Sequence, residues 1–177
     1  MISQTEGDRD TLVENVKSAR PGIGLALGGG LARGFAHIGV LKVFKEHGIA
    51  PSIVAGTSIG SVVGAAYLAG KLDDLEEWAV GLNRMSILSY LDFRVRGASM
   101  IGGMRLRKLL EENFEGMLIE DLPNPFIALS ADLRTGHEIW TRKGNLIDAM
   151  TASFALPGIF PPVEVNHRLL CDGALVN

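Results

Sequence analysis

The sequence predicts an α/β fold built on a largely parallel sheet, and three observations carry that prediction. Short apolar runs that read as strands alternate with longer segments of helical spacing. Two of those runs end in glycine-rich turns that lead straight into a helix. No internal repeat, low-complexity segment or linker divides the 177 residues, of which 47% are hydrophobic and 21% charged, so one domain with a sizeable core is expected.

The elements follow in order. Residues 1–21 are polar and mixed in charge, without the apolar run of a secretory signal, and form a lead-in to a domain over 22–177. Ile23 to Leu27 is a strand that ends in Gly28-Gly29-Gly30. From Arg33 to His47 the apolar residues Phe35, Ile38, Val40, Leu41, Val43 and Phe44 fit a helix, with Gly48 as its stop. Ser52 to Ala55 is a second buried strand. Ser61 to Leu68 is small and apolar on every face, as suits a helix packed inside a larger structure. The stretch Ile49 to Gly70 runs 22 residues without a charge, and Gly56, Gly60 and Gly64 give GxxxG spacing. Taken alone that is the pattern of a membrane helix. Pro51 and the Gly56-Thr57-Ser58 turn interrupt it, so strand, tight turn and buried helix is the better reading.

Asp73 and Asp74 are expected to cap a short helix through Leu82. Arg84 to Gly103 has no clean period and reads as loop. Met104 to Phe114 is helical, with Leu106, Leu109, Leu110 and Phe114 on one side. Pro125 to Ala131 and Glu138 to Thr141 read as strands, Asn145 to Phe154 as a helix broken at Pro157-Gly158, and Arg168 to Cys171 as the last strand.

Composition excludes several functions. With 17 Lys+Arg against 20 Asp+Glu the net charge is -3, so attraction to nucleic acid is not expected. A single cysteine excludes an internal disulfide framework and a cysteine-built zinc site. The 22 glycines, against roughly 12 at average usage, mark places where backbone turns tightly or approaches a ligand.

The strongest local signal is Gly56-Thr57-Ser58-Ile59-Gly60, a G-x-S-x-G pattern between a predicted strand and helix. A nucleophilic serine must project from a sharp strand-to-helix turn, and flanking glycines let neighbouring backbone crowd past it. A helix beginning near Ile59 points its free N–H groups and positive dipole end toward developing negative charge. The second signal is Gly28-Gly29-Gly30-Leu31-Ala32-Arg33-Gly34. A Walker loop fails, because Phe35-Ala36 follows Gly34 in place of Lys-Ser or Lys-Thr. A dinucleotide fingerprint from Gly28 fails, because Arg33 stands where a glycine belongs. An oxyanion hole needs only exposed N–H donors near a nucleophile, which consecutive glycines supply; a plain strand-to-helix turn competes with it.

A nucleophile needs a base. His37, His47, His137 and His167 are scattered without local motifs, and His37 reads as a helix or packing residue. Asp172-Gly173-Ala174 follows the apolar Leu169-Leu170-Cys171, which places a carboxylate at a strand end, although Asp-Gly is also an ordinary turn. Cys171 reads as a buried small residue. His137 with Glu138 is too sparse for a metal site.

Four blocks in this order, GLALGGGLARGFAHIGVLKVF, GTSIG, ASFALPGIFPPV and LLCDGALVN, resemble the patatin-like phospholipases, especially their compact bacterial members, over about Ile23 to Asn177. The resemblance implies a three-layer α/β/α sandwich and a lipid acyl hydrolase that uses a Ser–Asp dyad, with no catalytic histidine, cofactor or metal. Ser58 matches the family's nucleophile and Asp172 its aspartate partner. Gly28, Gly29 and Gly30 lie in its oxyanion loop, joined by the N–H of Ile59, while Arg33, Gly34, Gly56, Gly60 and Gly173 support the motifs. On this reading Ser58 attacks an ester carbonyl of a phospholipid or lysophospholipid, and water then hydrolyses the acyl-enzyme with Asp172 assisting. Burial must raise the aspartate above its ordinary pKa of ~3.9 for it to serve as a base. A thioester or soluble ester on the same dyad, and a non-catalytic interaction module, are the rival readings.

Two departures from the family stand out. Leu31 occupies a position where the family often has another glycine. Only Gly173 to Asn177 follow Asp172, so the chain reads as lacking the family's C-terminal part. Arg84 to Lys108 holds six basic residues (Arg84, Arg94, Arg96, Arg105, Arg107, Lys108) and one acid, Asp92, a local +5 that suits anionic headgroups, with Met100, Ile101 and Met104 as apolar contacts. Five acids from Glu111 to Asp121 balance it, and charge balance is the preferred reading. A cytoplasmic protein that touches membrane surfaces transiently is expected.

Overall fold

The computed structural model describes residues 22–81 and 107–176. The polar lead-in, Leu82, the expected loop from Arg84 to Gly103 and the first residues of the helix expected from Met104 lie outside the described residues. Among those described, β1 (Gly24–Leu27), β2 (Ile53–Thr57), β3 (Phe126–Asp132), β4 (Glu138–Thr141), β5 (Val163–Val165) and β6 (Arg168–Asp172) form one sheet. The helices are α1 (Ala36–Glu46), α2 (Ile59–Leu68), α3 (Leu72–Gly81), α4 (107–114) and α5 (Leu146–Phe154). The α/β class expected from the alternation is the class observed.

The sheet is mixed. β1, β2 and β3 run parallel, whereas β4 and β6 pair with β3, and β5 with β6, in antiparallel ladders. The register decides how they are laid out. Ala128 and Leu129 pair with both β2 and β4, while Ser130 and Ala131 pair with both β4 and β6. A strand has two edges, so β4 takes one edge of β3, and β2 and β6 share the other. They run toward each other along it: Thr57 ends β2 opposite Leu129, and Asp172 ends β6 opposite Ser130.

β6 is held in that position by a hairpin and a buried acid. β5 is absent from the sequence reading, because it is three residues long and its turn, Asn166-His167, lacks the glycine that marks such hairpins. Both turn residues nevertheless have positive φ, 50° and 61°, which matches the twist of a two-residue hairpin. Asp132, at the end of β3, accepts from Arg134 N (2.9 Å), Thr135 N (3.3 Å) and Arg168 Nη1 (3.1 Å). The Arg134 N–H first, then Thr135 and the Arg168 guanidinium, hold this carboxyl below its ordinary range against the opposing effect of burial.

α2 is buried over its whole length except Tyr67, and lies on β1, β2 and β3. Its glycines make that approach possible. A Cβ on Gly60 would strike the carbonyl of Leu27, and one on Gly56 would stand 2.5 Å from the carbonyl oxygen of Gly60. The GxxxG spacing is therefore a helix-on-sheet contact, and no helix among the described residues is long and apolar enough to cross a membrane. The core around it is closed by Leu41, Val54, Val63, Phe126, Leu146 and Met150, all fully buried. Burying each large aliphatic or aromatic side chain contributes about 1.5–3 kcal/mol.

α3 starts one residue before the expected cap, so Asp73 and Asp74 lie inside its first turn. There they face the positive end of the helix dipole, with Lys42 Nζ 3.9 Å from Asp73 and Lys71 Nζ 3.7 Å from Asp74. At the described end of the basic stretch, Arg107 bonds Glu111 (2.9 Å) and Asp148 (3.2 Å), and Lys108 stands 3.8 Å from Glu112. These two cations are balanced within the protein; the other four lie outside the described residues.

Two glycine-to-alanine exchanges are expected to act in opposite directions. Gly60→Ala forces α2 off β1 and should destabilise by about 1–3 kcal/mol. Gly39, in α1, has open space around its Cβ position, so Gly39→Ala should stabilise by up to about 1 kcal/mol. Thermal unfolding of both variants checks the pair, and an unchanged Tm for Gly60→Ala would contradict the packing described here.

Candidate active site

Ser58 is the first residue after β2 and the cap of α2. Its backbone, φ 55° and ψ -127°, lies in a region that side-chain-bearing residues rarely adopt, at a strain of order 1–3 kcal/mol. Three hydrogen bonds over-determine it. Ser58 N donates to Ser153 Oγ (2.9 Å), and Ser58 O accepts from Ser61 N (2.9 Å) and Ser61 Oγ (2.7 Å). The turn aims the side chain along the edge of β3, toward the end of β6.

There Ser58 Oγ donates to Asp172 Oδ2 at 2.7 Å. Asp172 is fixed by its own neighbours: its N donates to Ala155 O (2.9 Å), and its Oδ1 accepts from Ala174 N (2.9 Å). Ser58 and Asp172 are only 3% and 2% exposed. Burial pushes the Asp172 carboxyl above the ordinary range, and the hydrogen bonds from Ser58 and Ala174 N–H offset part of that rise. A carboxylate in such surroundings is a stronger proton acceptor than one in water, and it sits on the hydroxyl it would deprotonate.

The glycine loop closes over this pair. Gly28, Gly29 and Gly30 leave β1 exposed, and the Cβ position of Gly29 lies 3.3 Å from both Ser58 Cβ and Ala174 Cβ. Leu31 has φ 51°, so the side chain found where the family often has glycine adopts the backbone that glycine would take without strain. Arg33 N bonds Gly30 O (3.1 Å) at the start of a short 3-10 turn, Leu31–Phe35, in which Arg33 is exposed and Gly34 is buried against Ile59. Gly173 is buried at the start of another such turn, Gly173–Leu175, packed on the carbonyl of Leu129.

His37 stands outside the Ser58–Asp172 contact. Its Nε2 is 3.0 Å from Gly28 O, and since a carbonyl only accepts, that nitrogen carries the proton. The peptide plane so held has its other polar end at Gly29 N–H. Ile59 opens α2, where an N–H has no partner within the helix. Gly28, Gly29 and Gly30 are exposed and Ile59 opens α2, while Ser58 N–H is committed to Ser153.

The geometry brings Ser58, Asp172 and Gly29 together, leaves His47, His137 and His167 apart from them, and adds Ser61, Ser153 and Ala155. Ser153 and Ala155 lie in the block ASFALPGIFPPV, whose recurrence as a unit was the one signal available for them. Among the described residues no three side chains of His, Cys, Asp and Glu type gather as a metal site. Cys171 is buried beside Asp172, with Sγ 3.5 Å from Ala131 O.

Comparison with known proteins bears on this arrangement. The patatin-like phospholipase family model matches residues 25–177. An uncharacterized NTE family protein of Mycobacterium tuberculosis is 39% identical over 160 residues, covering 90% of this chain and 44% of the relative. A patatin-like phospholipase domain-containing protein of Caenorhabditis elegans is 40% identical over 161 residues, covering 88% of this chain and 12% of its own. Neuropathy target esterase of Drosophila persimilis is 37% identical over 163 residues, with coverages of 88% and 11%. The crystal structure of VipD from Legionella pneumophila superposes with a TM-score of 0.64 at 16% identity, over 90% of this chain and 47% of that one, a likeness of fold. The chain spans less than half the length of these relatives.

The raised carboxyl of Asp172 has a consequence for stability. A carboxyl with a folded-state pKa above its unfolded value of ~3.9 opposes folding once it ionises, fully so above the folded-state pKa. Asp172→Asn is therefore expected to raise Tm near neutral pH, with the gain fading as pH falls toward about 4. Thermal unfolding of both proteins across that interval checks it; a gain that grows on acidification would contradict desolvation as the cause.

Proposed function

The chain belongs to the patatin-like phospholipase family, and from that membership we propose that it is a serine acyl hydrolase for carboxylic esters of phospholipids or lysophospholipids. The 2.7 Å hydrogen bond from Ser58 Oγ to the buried Asp172 carboxylate is the observation that carries the reading. In the first step Oγ attacks the ester carbonyl carbon as its proton passes to Asp172 Oδ2. The carbonyl oxygen becomes an oxyanion, received by N–H groups of Gly28, Gly29 and Gly30 and by that of Ile59 at the positive end of α2. Collapse of the tetrahedral intermediate expels the alcohol, which takes the proton from Asp172 and leaves an acyl group on Ser58.

In the second step water attacks the acyl-enzyme. Asp172 accepts its proton, the same donors hold the second oxyanion, and Ser58 Oγ leaves with the proton returned from Asp172. The fatty acid and the free enzyme result. Two features of the site support a carboxylate in the role often filled by histidine. Burial raises its basicity, and its second oxygen is held by Ala174 N–H so that Oδ2 stays on Ser58. The names of the relatives support a lipid ester as the substrate class, and such a substrate brings the protein to a membrane surface during turnover.

A fluorophosphonate probe should label Ser58, read by mass spectrometry, and Ser58→Ala should abolish both labelling and fatty-acid release from phosphatidylcholine or lysophosphatidylcholine vesicles. Asp172→Asn should slow acylation by roughly 10²–10⁴-fold, the usual contribution of a general base. In the wild type the acid limb of kcat/KM should have its midpoint above the ordinary carboxylate value of ~3.9. Labelling that persists in Ser58→Ala would overturn the nucleophile. Cleavage of soluble esters or thioesters without any release from lipid would overturn the substrate class.

A further inference from the structure

The nucleophile's backbone hangs on a side chain far away in the sequence. Ser153 lies in the last turn of α5 and is fully buried. Its hydroxyl donates to Leu129 O (2.5 Å) and accepts from Ser58 N (2.9 Å). A serine hydroxyl has one proton and two lone pairs. With the proton directed to Leu129, the oxygen is oriented as an acceptor for Ser58 N–H, and the two bonds polarise each other. Leu129 is the residue opposite Thr57 in the β2–β3 ladder. Ser153 therefore takes over where strand pairing stops, binding β3 on one side and the first residue beyond β2 on the other.

The same end of α5 holds the aspartate. Two residues beyond Ser153, the carbonyl of Ala155 accepts from Asp172 N at 2.9 Å. One short piece of chain thus fixes the main chain of both Ser58 and Asp172, and the distance between their side chains follows from it. The bond has a second effect. It turns Ser58 N–H into the interior, so the amide of Ser58 itself is not free for an oxyanion formed there.

We propose that Ser153 is a positioning residue for the reaction, holding the strained backbone of Ser58 so that Oγ faces Asp172 and the oxyanion donors. This rests on the acyl-hydrolase reading of the site. Without the hydroxyl, Ser58 N–H and Leu129 C=O lose a buried partner, and the positive φ of Ser58 loses one of its three restraints.

The test uses saturable inactivation by a fluorophosphonate, with a rate and an amplitude read separately. Ser153→Ala should inactivate 10- to 100-fold more slowly, on the order expected for loss of a buried hydrogen-bond partner, with full final labelling and an unchanged half-saturating probe concentration. A purely structural role would instead lower the labelled fraction and leave the rate of the folded remainder as in wild type. Ser153→Thr, which keeps the hydroxyl, should recover most of the rate. If Ser153→Ala does not fold, Ser153→Cys, nearly isosteric but a poor hydrogen-bonding group, should fold and react slowly. A wild-type rate in a folded Ser153→Ala or Ser153→Cys sample overturns the proposal, and so does loss of folding in both. Ser58→Ala keeps the two readings apart: label retained in that variant defeats the nucleophile assignment whatever Ser153 does.

Discussion

Two strands that run toward each other along one edge of β3 determine where Ser58 and Asp172 meet in this protein. Each ends opposite a neighbouring residue, β2 at Leu129 and β6 at Ser130. The residues at those ends, Ser58 just past β2 and Asp172 at the tip of β6, therefore stand within hydrogen-bonding reach by virtue of backbone pairing. Two side chains on loops would have to be ordered individually at an entropic cost. Here the ladder hydrogen bonds have already ordered them.

The rest of the structure can be understood as what keeps that junction from relaxing. Ser58 carries backbone strain and Asp172 carries a desolvated carboxylate, and both are unfavourable for folding. α2 presses against the junction from one side, and it reaches the sheet because Gly56 and Gly60 have no Cβ to hold it away. α5 secures it from another through Ser153 and Ala155. The β5–β6 hairpin and the Asp132–Arg168 pair keep β6 in register with β3. Stability has been given up at two residues and is made good by the packing of the core.

Burial also bears on the proposed reaction, since it raises the Asp172 carboxyl. An exposed aspartate is too weak a base to deprotonate a serine hydroxyl, and no histidine lies in the Ser58–Asp172 contact. Removing water raises the carboxylate's basicity and strengthens every dipole directed at the site. The glycine loop rests on both Ser58 and Ala174, with the Cβ position of Gly29 3.3 Å from each of their Cβ atoms.

Much of this was legible in the sequence, because it is written over short spans. The strand–GxSxG–helix pattern located the turn at Ser58, and Pro51 with the Gly56-Thr57-Ser58 turn separated a buried helix from a membrane span. The run of apolar residues before Asp172 placed it at a strand end. The alternation of elements indicated the α/β class. What could not be read was anything set by register between distant segments. β5 escaped because three residues show no period, and the capping role expected of Asp73 and Asp74 shifted because a helix boundary depends on the packing of its neighbours. Ser153, 95 residues from Ser58, looked like one more small residue in an apolar helix. Which residue types the site contains was decided locally, by turns and periodicity. That Ser58, Ser153 and Asp172 meet was decided by the tertiary structure, since only the shared edge of β3 and the packing of α5 on it bring together residues whose separations no local pattern encodes.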